Sequence, residues 1–129
     1  MLNLTQHTPT VEQIAAGVIE TDAEVKREIV ELLTFDNLPN AGEMVRRARG
    51  LAYLASQHSA EKRVLIAGAP FFMSTLEREL MLAGFHPFYA FSTRESVEKV
   101  NADGSVTKTV IFRHNGFVEA TWGGDFIWI

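Results

Sequence analysis

The sequence predicts an α/β fold with a Rossmann-like, three-layer plan: a mainly parallel sheet carrying an antiparallel C-terminal hairpin. Three observations predict it. Val64-Leu65-Ile66-Ala67 is a short continuous apolar run, the composition of a parallel strand buried on both faces. Helix start signals, each with its own capping residue, precede that run, and another helix follows it directly. Two β-prone stretches, Val97 to Val100 and Val106 to Phe112, flank Asn101-Ala102-Asp103-Gly104, as expected of a hairpin with a slightly long loop.

The elements follow in order. Leu2 to Gln6 reads as a short strand that runs into Thr10-Val11-Glu12-Gln13, a Thr-x-x-Gln capping box. Ile14, Ala15 and Val18 keep helical spacing from Val11, and Gly17 argues against continuation much beyond Ile19. Thr21-Asp22-Ala23-Glu24 starts a second helix with Val25, Ile29, Leu32 and Leu33 inward, broken by Phe35-Asp36-Asn37-Leu38-Pro39. Asn40 with Glu43 caps a third, whose apolar stripe runs from Met44 to Ala55 and leaves Arg46, Arg47 and Arg49 on a solvated face. After the strand Val64 to Ala67, a helix runs from Pro70 to about Ala83, with Gly84 as its left-handed stop. Phe88-Tyr89-Ala90-Phe91 reads as a third parallel strand before the hairpin. The last segment, Ala120 to Ile129, concentrates Trp122, Phe126, Trp128 and Ile129, and such a patch needs cover from its own core or a second subunit.

Composition bounds the functional classes. One domain spanning all 129 residues is expected, since that length can bury a core without disulfides or metal. The chain has no cysteine, which excludes a thiolate zinc site and a cysteine nucleophile. Glu12, Glu24, Asp36, Glu43 and Asp103 fall in different elements without metal-ligand spacing, so neither a metal nor a cofactor is expected. A net charge of -4 argues against extended nucleic acid as a partner but leaves room for a small anionic ligand. Met1-Leu2-Asn3-Leu4-Thr5 lacks a basic region and a long apolar run, so no signal peptide or membrane partner is expected and a cytoplasmic location is.

Open α/β sheets bind ligands at the carboxyl ends of their parallel strands. Those ends carry Thr5-Gln6-His7-Thr8 after strand one, Gly68-Ala69-Pro70 with Ser74 after strand two, and Ser92-Thr93-Arg94 after strand three. His7 suits general acid-base work, or a loop histidine bonded to nearby backbone. Arg94 is the one cation at such an end, able to fork a phosphate or to pair with Glu95 or Glu98. Gly68 suits close approach of backbone amides to a phosphate, although neither a dinucleotide fingerprint nor a Walker pattern is present. Thr5, Gln6, Thr8, Ser74, Ser92 and Thr93 suit ligand hydrogen bonds or local turns equally. His114 is a further candidate at the end of the hairpin strand, whereas His58 and His86 read as surface residues. Phe71, Phe72 and Met73 read as core rather than as the wall of an adenine pocket.

The opening Asn3-Leu4-Thr5-Gln6-His7-Thr8-Pro9-Thr10-Val11-Glu12-Gln13 resembles the strand, histidine, threonine and helix start of small CRISPR-associated proteins that handle cyclic oligoadenylates. The resemblance covers roughly the first tenth of the chain by motif, and the Rossmann-like plan adds an analogy of fold over the rest. It implies a homodimer that binds a cyclic RNA ring across its two-fold axis, with Thr5, His7 and Ser92 near the phosphodiester. Three functions follow as expectations: a metal-independent ring nuclease using His7 and Arg94, a non-catalytic nucleotide-binding or sequestering module, and a protein-interaction domain using the aromatic C-terminus.

Overall fold

Side-chain caps start three of the four helices where the sequence predicts. Our computed structural model describes residues 1–121; Trp122 and the rest of the aromatic segment lie outside the described residues. The Thr10 hydroxyl accepts from the Gln13 amide and the Gln13 side chain accepts from the Thr10 amide, both at 3.1 Å, opening α1 (Val11–Ala15). It ends within two turns, and Gly17 follows at φ 101°. Asp22 caps α2 (Ala23–Leu33) by accepting from the Val25 amide at 2.9 Å, and Asn40 caps α3 (Ala41–His58) by accepting from Glu43 at 2.8 Å. The last helix, α4 (Pro70–Leu82), has Pro70 in its first turn and no side-chain cap; Gly84 follows it at φ 89°.

The strands are β1 (Leu2–Asn3), β2 (Arg63–Leu65), β3 (His86–Val100) and β4 (Val106–Glu119), in one mixed sheet of order β1-β2-β3-β4. β1 pairs parallel to β2 (Leu2 with Val64), β2 parallel to β3 (Leu65 with Phe88), and β3 antiparallel to β4. The outer edge of β1 is partly covered by Ile19, whose carbonyl accepts from the Asn3 amide at 2.9 Å.

Both crossovers step the same way across the sheet, and the buried faces of α2, α3 and α4 form one core with one face of it. Val25, Ile29, Leu33, Leu51, Phe72, Leu76 and Leu80 meet Leu2, Leu4, Val64 and Ile66 there. Phe72 is fully buried, as the core reading of this first helical turn expects, whereas Phe71 is 55% exposed. A second, smaller cluster on the other face joins Met1, Val18 and Leu65 with Phe88 and Phe117.

Three expectations are corrected. β1 is shorter than Leu2 to Gln6, because the Asn3 carboxamide accepts from the Thr5 amide at 3.1 Å and from its hydroxyl at 2.7 Å, curling the chain after Leu4. Phe88 to Phe91 and Val97 to Val100 are not separate strands but parts of β3, whose outer half pairs only with β4. This two-stranded arm projects from the body, with every residue from Ala90 to Val100 exposed. Arg47 is not on a solvated face. Its guanidinium donates to the carbonyls of Glu31, Leu32 and Thr34 at 3.0, 3.2 and 2.6 Å, and lies 4.5 Å over the Phe35 ring, satisfying the C-terminal carbonyls of α2. Arg49 does lie on the solvated face, 71% exposed, although it also pairs with the buried Glu79 at 3.4 Å.

A bulge between Phe91 and Ser92 marks where the arm leaves the body: Phe91 pairs with Gly116 but Ser92 with His114, leaving Asn115 extra. Residues paired across the ladder share a face. Arg94/Phe112, Ser96/Val110, Glu98/Lys108 and Val100/Val106 therefore occupy one face of the arm, with the Arg94 guanidinium 5.5 Å from the Phe112 ring. Thr93/Arg113, Glu95/Ile111, Val97/Thr109 and Lys99/Thr107 occupy the other, where Arg113 pairs with Glu95. In the turn, Asp103 accepts from the Ser105 amide and hydroxyl at 2.9 and 2.5 Å; these bonds hold its carboxyl below the usual range.

Candidate functional site at the carboxyl edge

Because β1 and β2 run parallel and in register, the loop after Leu4 and the segment Gly68–Pro70 leave the sheet at the same edge. The amide of Leu4 still donates to the Leu65 carbonyl at 2.9 Å, so the two exits start side by side.

The loop after β1 is held by a polar cluster. Asn3 is buried between Leu2 and Leu4, where an unpaired carboxamide would be costly. Its nitrogen donates to the His7 carbonyl at 2.8 Å and to Glu20 at 3.3 Å, and its oxygen takes the Thr5 hydroxyl. The Lys26 ammonium, from α2, donates to the carbonyls of Thr5 and His7 at 2.7 and 2.9 Å and pairs with Glu20 at 3.2 Å. Thr5 is thus buried and engaged inside the protein, and Gln6 donates to the Thr34 hydroxyl at 3.2 Å. These two expected ligand-binding side chains have structural partners. The exposed His7 uses its backbone for all its hydrogen bonds among the described residues, leaving the imidazole open to solvent, and Thr8 beside it is exposed.

At the second exit Gly68 is exposed, and a Cβ there would stand 2.8 Å from the Met73 methyl and 3.5 Å from Leu33, so the glycine makes room for the first turn of α4. Ala69 and Pro70 lead into a helix start whose amides receive no side-chain cap. Ser74, one turn on, lines a groove between α3 and α4.

The third expected contribution is placed differently. Ser92, Thr93 and Arg94 are not at a strand end, because β3 continues past them to Val100; they stand at the base of the arm and along it. Ser92 pairs with His114, whose amide donates to the Glu12 carboxylate of α1 at 3.0 Å and whose ring lies 4.7 Å from that of Phe117. The His114 Nδ1 is buried without a hydrogen-bond partner among the described residues. β1, β2 and the arm base therefore contribute His7, the Gly68–Pro70 turn and the Ser92/His114 pair to the carboxyl side, while Arg94 lies two positions further out.

Sequence reasoning missed Asn3, Glu20, Lys26 and Glu12. A signal existed for Asn3, a polar residue inside the run Met1 to Leu4; the others come from distant elements. Among the described residues no three His, Asp or Glu side chains gather closely enough to hold a metal ion, and no helix is long and apolar enough to cross a membrane.

No curated protein and no solved structure matches the chain. A model of the uncharacterized protein MJ1673 family matches residues 1–118, which takes in all four helices and nearly all of the sheet, and the chain belongs to that family.

Proposed function

We propose that the chain binds a small anionic nucleotide, a cyclic oligoadenylate, at the carboxyl edge of the sheet and opens it without a metal. The observation that carries this reading is the parallel pairing of β1 with β2, which sets the loop bearing the free His7 imidazole beside the uncapped N-terminus of α4. A helix start offers amide donors and positive potential to a phosphate. RNA supplies its own nucleophile: the 2′-oxygen attacks phosphorus, the bond to the 5′-oxygen breaks, and His7 carries the proton from the former to the latter. The amides after Gly68 stabilise the charge on the phosphoryl oxygens. The products are a linear oligonucleotide with a 2′,3′-cyclic phosphate and a free 5′-hydroxyl.

Within this reading the body is a Rossmann-like plan whose thin third layer is the segment around α1, acting in the cytoplasm. Thr5 and Gln6 act by holding the loop, while Thr8, Ser92 and His114 face the ribose and bases; Thr93, on the opposite face of β3, accepts from the Asn115 side chain instead. Arg94 meets a second phosphate, about 7 Å beyond Ser92 at the strand rise, so the ligand is several nucleotides wide. The reading includes a homodimer. It is supported by the arm, since a two-stranded ribbon alone in water is only marginally stable and this one exposes Phe112, Val110, Val106 and Val100 on one face.

The test is incubation of the purified chain with labelled cyclic oligoadenylates in EDTA and chromatography of the products. Linear product with a cyclic phosphate end supports the reading. Retention of intact ring on the protein without product points to sequestration, and neither binding nor product overturns it.

A further inference from the structure

The groove between α3 and α4 is lined by the half-buried Met44, Val45 and Met81, with Ser74 and Arg78 exposed beside them, and encloses about 500 Å³. Its lining also includes Thr121, where the described chain stops. The chain arrives there because β4 ends at Glu119 and the Ala120 amide bonds to the Pro87 carbonyl at 2.9 Å, next to the strand that α4 covers. Eight residues follow in the sequence, Trp122-Gly123-Gly124-Asp125-Phe126-Ile127-Trp128-Ile129.

We infer that this groove is the seat of the chain's own segment 122–129, whose aromatic side chains cover Met44, Val45 and Met81. Three observations carry this. Thr121, the residue just before the segment, lines the groove, so no linker is needed. Its reach is ample: eight residues extend about 26–29 Å, against about 10 Å from Ser74 to Met81 along α4. The chemistries match, because five of the eight residues are large apolar side chains and the groove presents apolar surface that nothing else among the described residues fills. Asp125 is the one charged side chain of the segment, and at the groove Arg78 has the opposite sign while the Glu77 carboxylate, also lining it, accepts from Tyr89. Gly123-Gly124 lets the backbone turn directly after Trp122. This inference is independent of the nucleotide reading.

Trp122 and Trp128 are the only two tryptophans of the chain, so intrinsic fluorescence reports the segment alone. The full chain should emit to the blue of the free 122–129 peptide and hold that emission on dilution. Met81→Lys should shift it to the emission of the peptide while far-UV circular dichroism stays unchanged. A second readout leaves the apolar lining intact: the chain lacks cysteine, so Ser74→Cys takes a single bimane label, which contact with tryptophan quenches. Quenching in the full chain, relieved by Trp122→Phe with Trp128→Phe, is the expected result; if Met81→Lys fails to fold, this readout decides. Emission equal to that of the peptide, a blue shift lost on dilution (a second copy as occupant), or an unquenched label would each overturn the inference.

Discussion

The Lys26 ammonium spans the carbonyls of Thr5 and His7, 2.7 and 2.9 Å away, so α2 fixes the loop that leaves β1 although the two elements lie some twenty residues apart. Lys26→Met keeps the aliphatic stem and removes both bonds. Hydrogen bonds to charged groups contribute about 1.5–3 kcal/mol each, but the ammonium is partly exposed, so a total loss of about 1–2 kcal/mol is expected. Chemical denaturation measures that loss, and amide exchange should quicken at Gln6 to Thr8 while the sheet stays protected. An unchanged exchange pattern would show that the loop is held by Asn3 alone.

His7 and Arg94 should separate in their effects. Among the described residues His7 has no side-chain hydrogen bond to lose, so His7→Ala should leave stability and ring binding intact and lower turnover about a hundred- to ten-thousandfold. Arg94→Ala should weaken binding as well as turnover, and more for larger rings, because Arg94 stands further along the arm. Equal rates for both variants and the parent would remove these residues from the site.

Tyr89 ties β3 to α4 by donating to Glu77 at 2.6 Å. Burial, reinforced by the Glu77 carboxylate, pushes its phenol well above the ordinary value. A raised folded-state value stabilises the fold fully below the unfolded phenol's value near ~10; that contribution fades as pH rises from there toward the folded value. Stability should therefore fall above about pH 10, and Tyr89→Phe should lower neutral-pH stability by about 1 kcal/mol while flattening that decline. Denaturant midpoints at neutral and alkaline pH, compared between the two proteins, decide it.

Neither core cluster extends into the arm beyond Phe117 and Tyr89. Replacing residues 96–110 by an Asn-Gly turn should therefore leave the body folded, with stability changed by about 1 kcal/mol or less. It should also convert the proposed dimer to a monomer by light scattering. A parent chain that is already monomeric with and without ligand would count against the dimer.

The parts of the fold legible in the sequence were those governed by local chemistry. The Thr10/Gln13 box, the Asp22 and Asn40 caps and the stop at Gly84 each depend on a few adjacent residues, and all are where their spacing indicates. The doubly apolar run at Val64 likewise marks a central strand. The arm is legible in the sequence only in pieces because solvent reaches both of its faces, so Ser92 to Lys99 carries no strong alternation that separates a strand from a loop. At the candidate site, His7 and Gly68 were legible as residues just past strand ends. The bonding of Thr5 to Asn3, of Lys26 to the loop carbonyls and of Arg47 to the end of α2 joins distant elements, and a single sequence does not encode such pairings by spacing.

Asn115 sets the phase of everything beyond it. Were the ladder continued without the bulge from Phe91/Gly116, Phe112 would stand opposite Glu95, on the side of the sheet that Tyr89 presents to the helices. The one extra residue moves Phe112 opposite Arg94 instead, and carries Val110, Lys108 and Val106 with it to the side of Phe117. A single added residue at the base thus decides which side of the arm presents Phe112, Val110 and Val106 and which presents the Arg113–Glu95 pair, without altering any residue on either side.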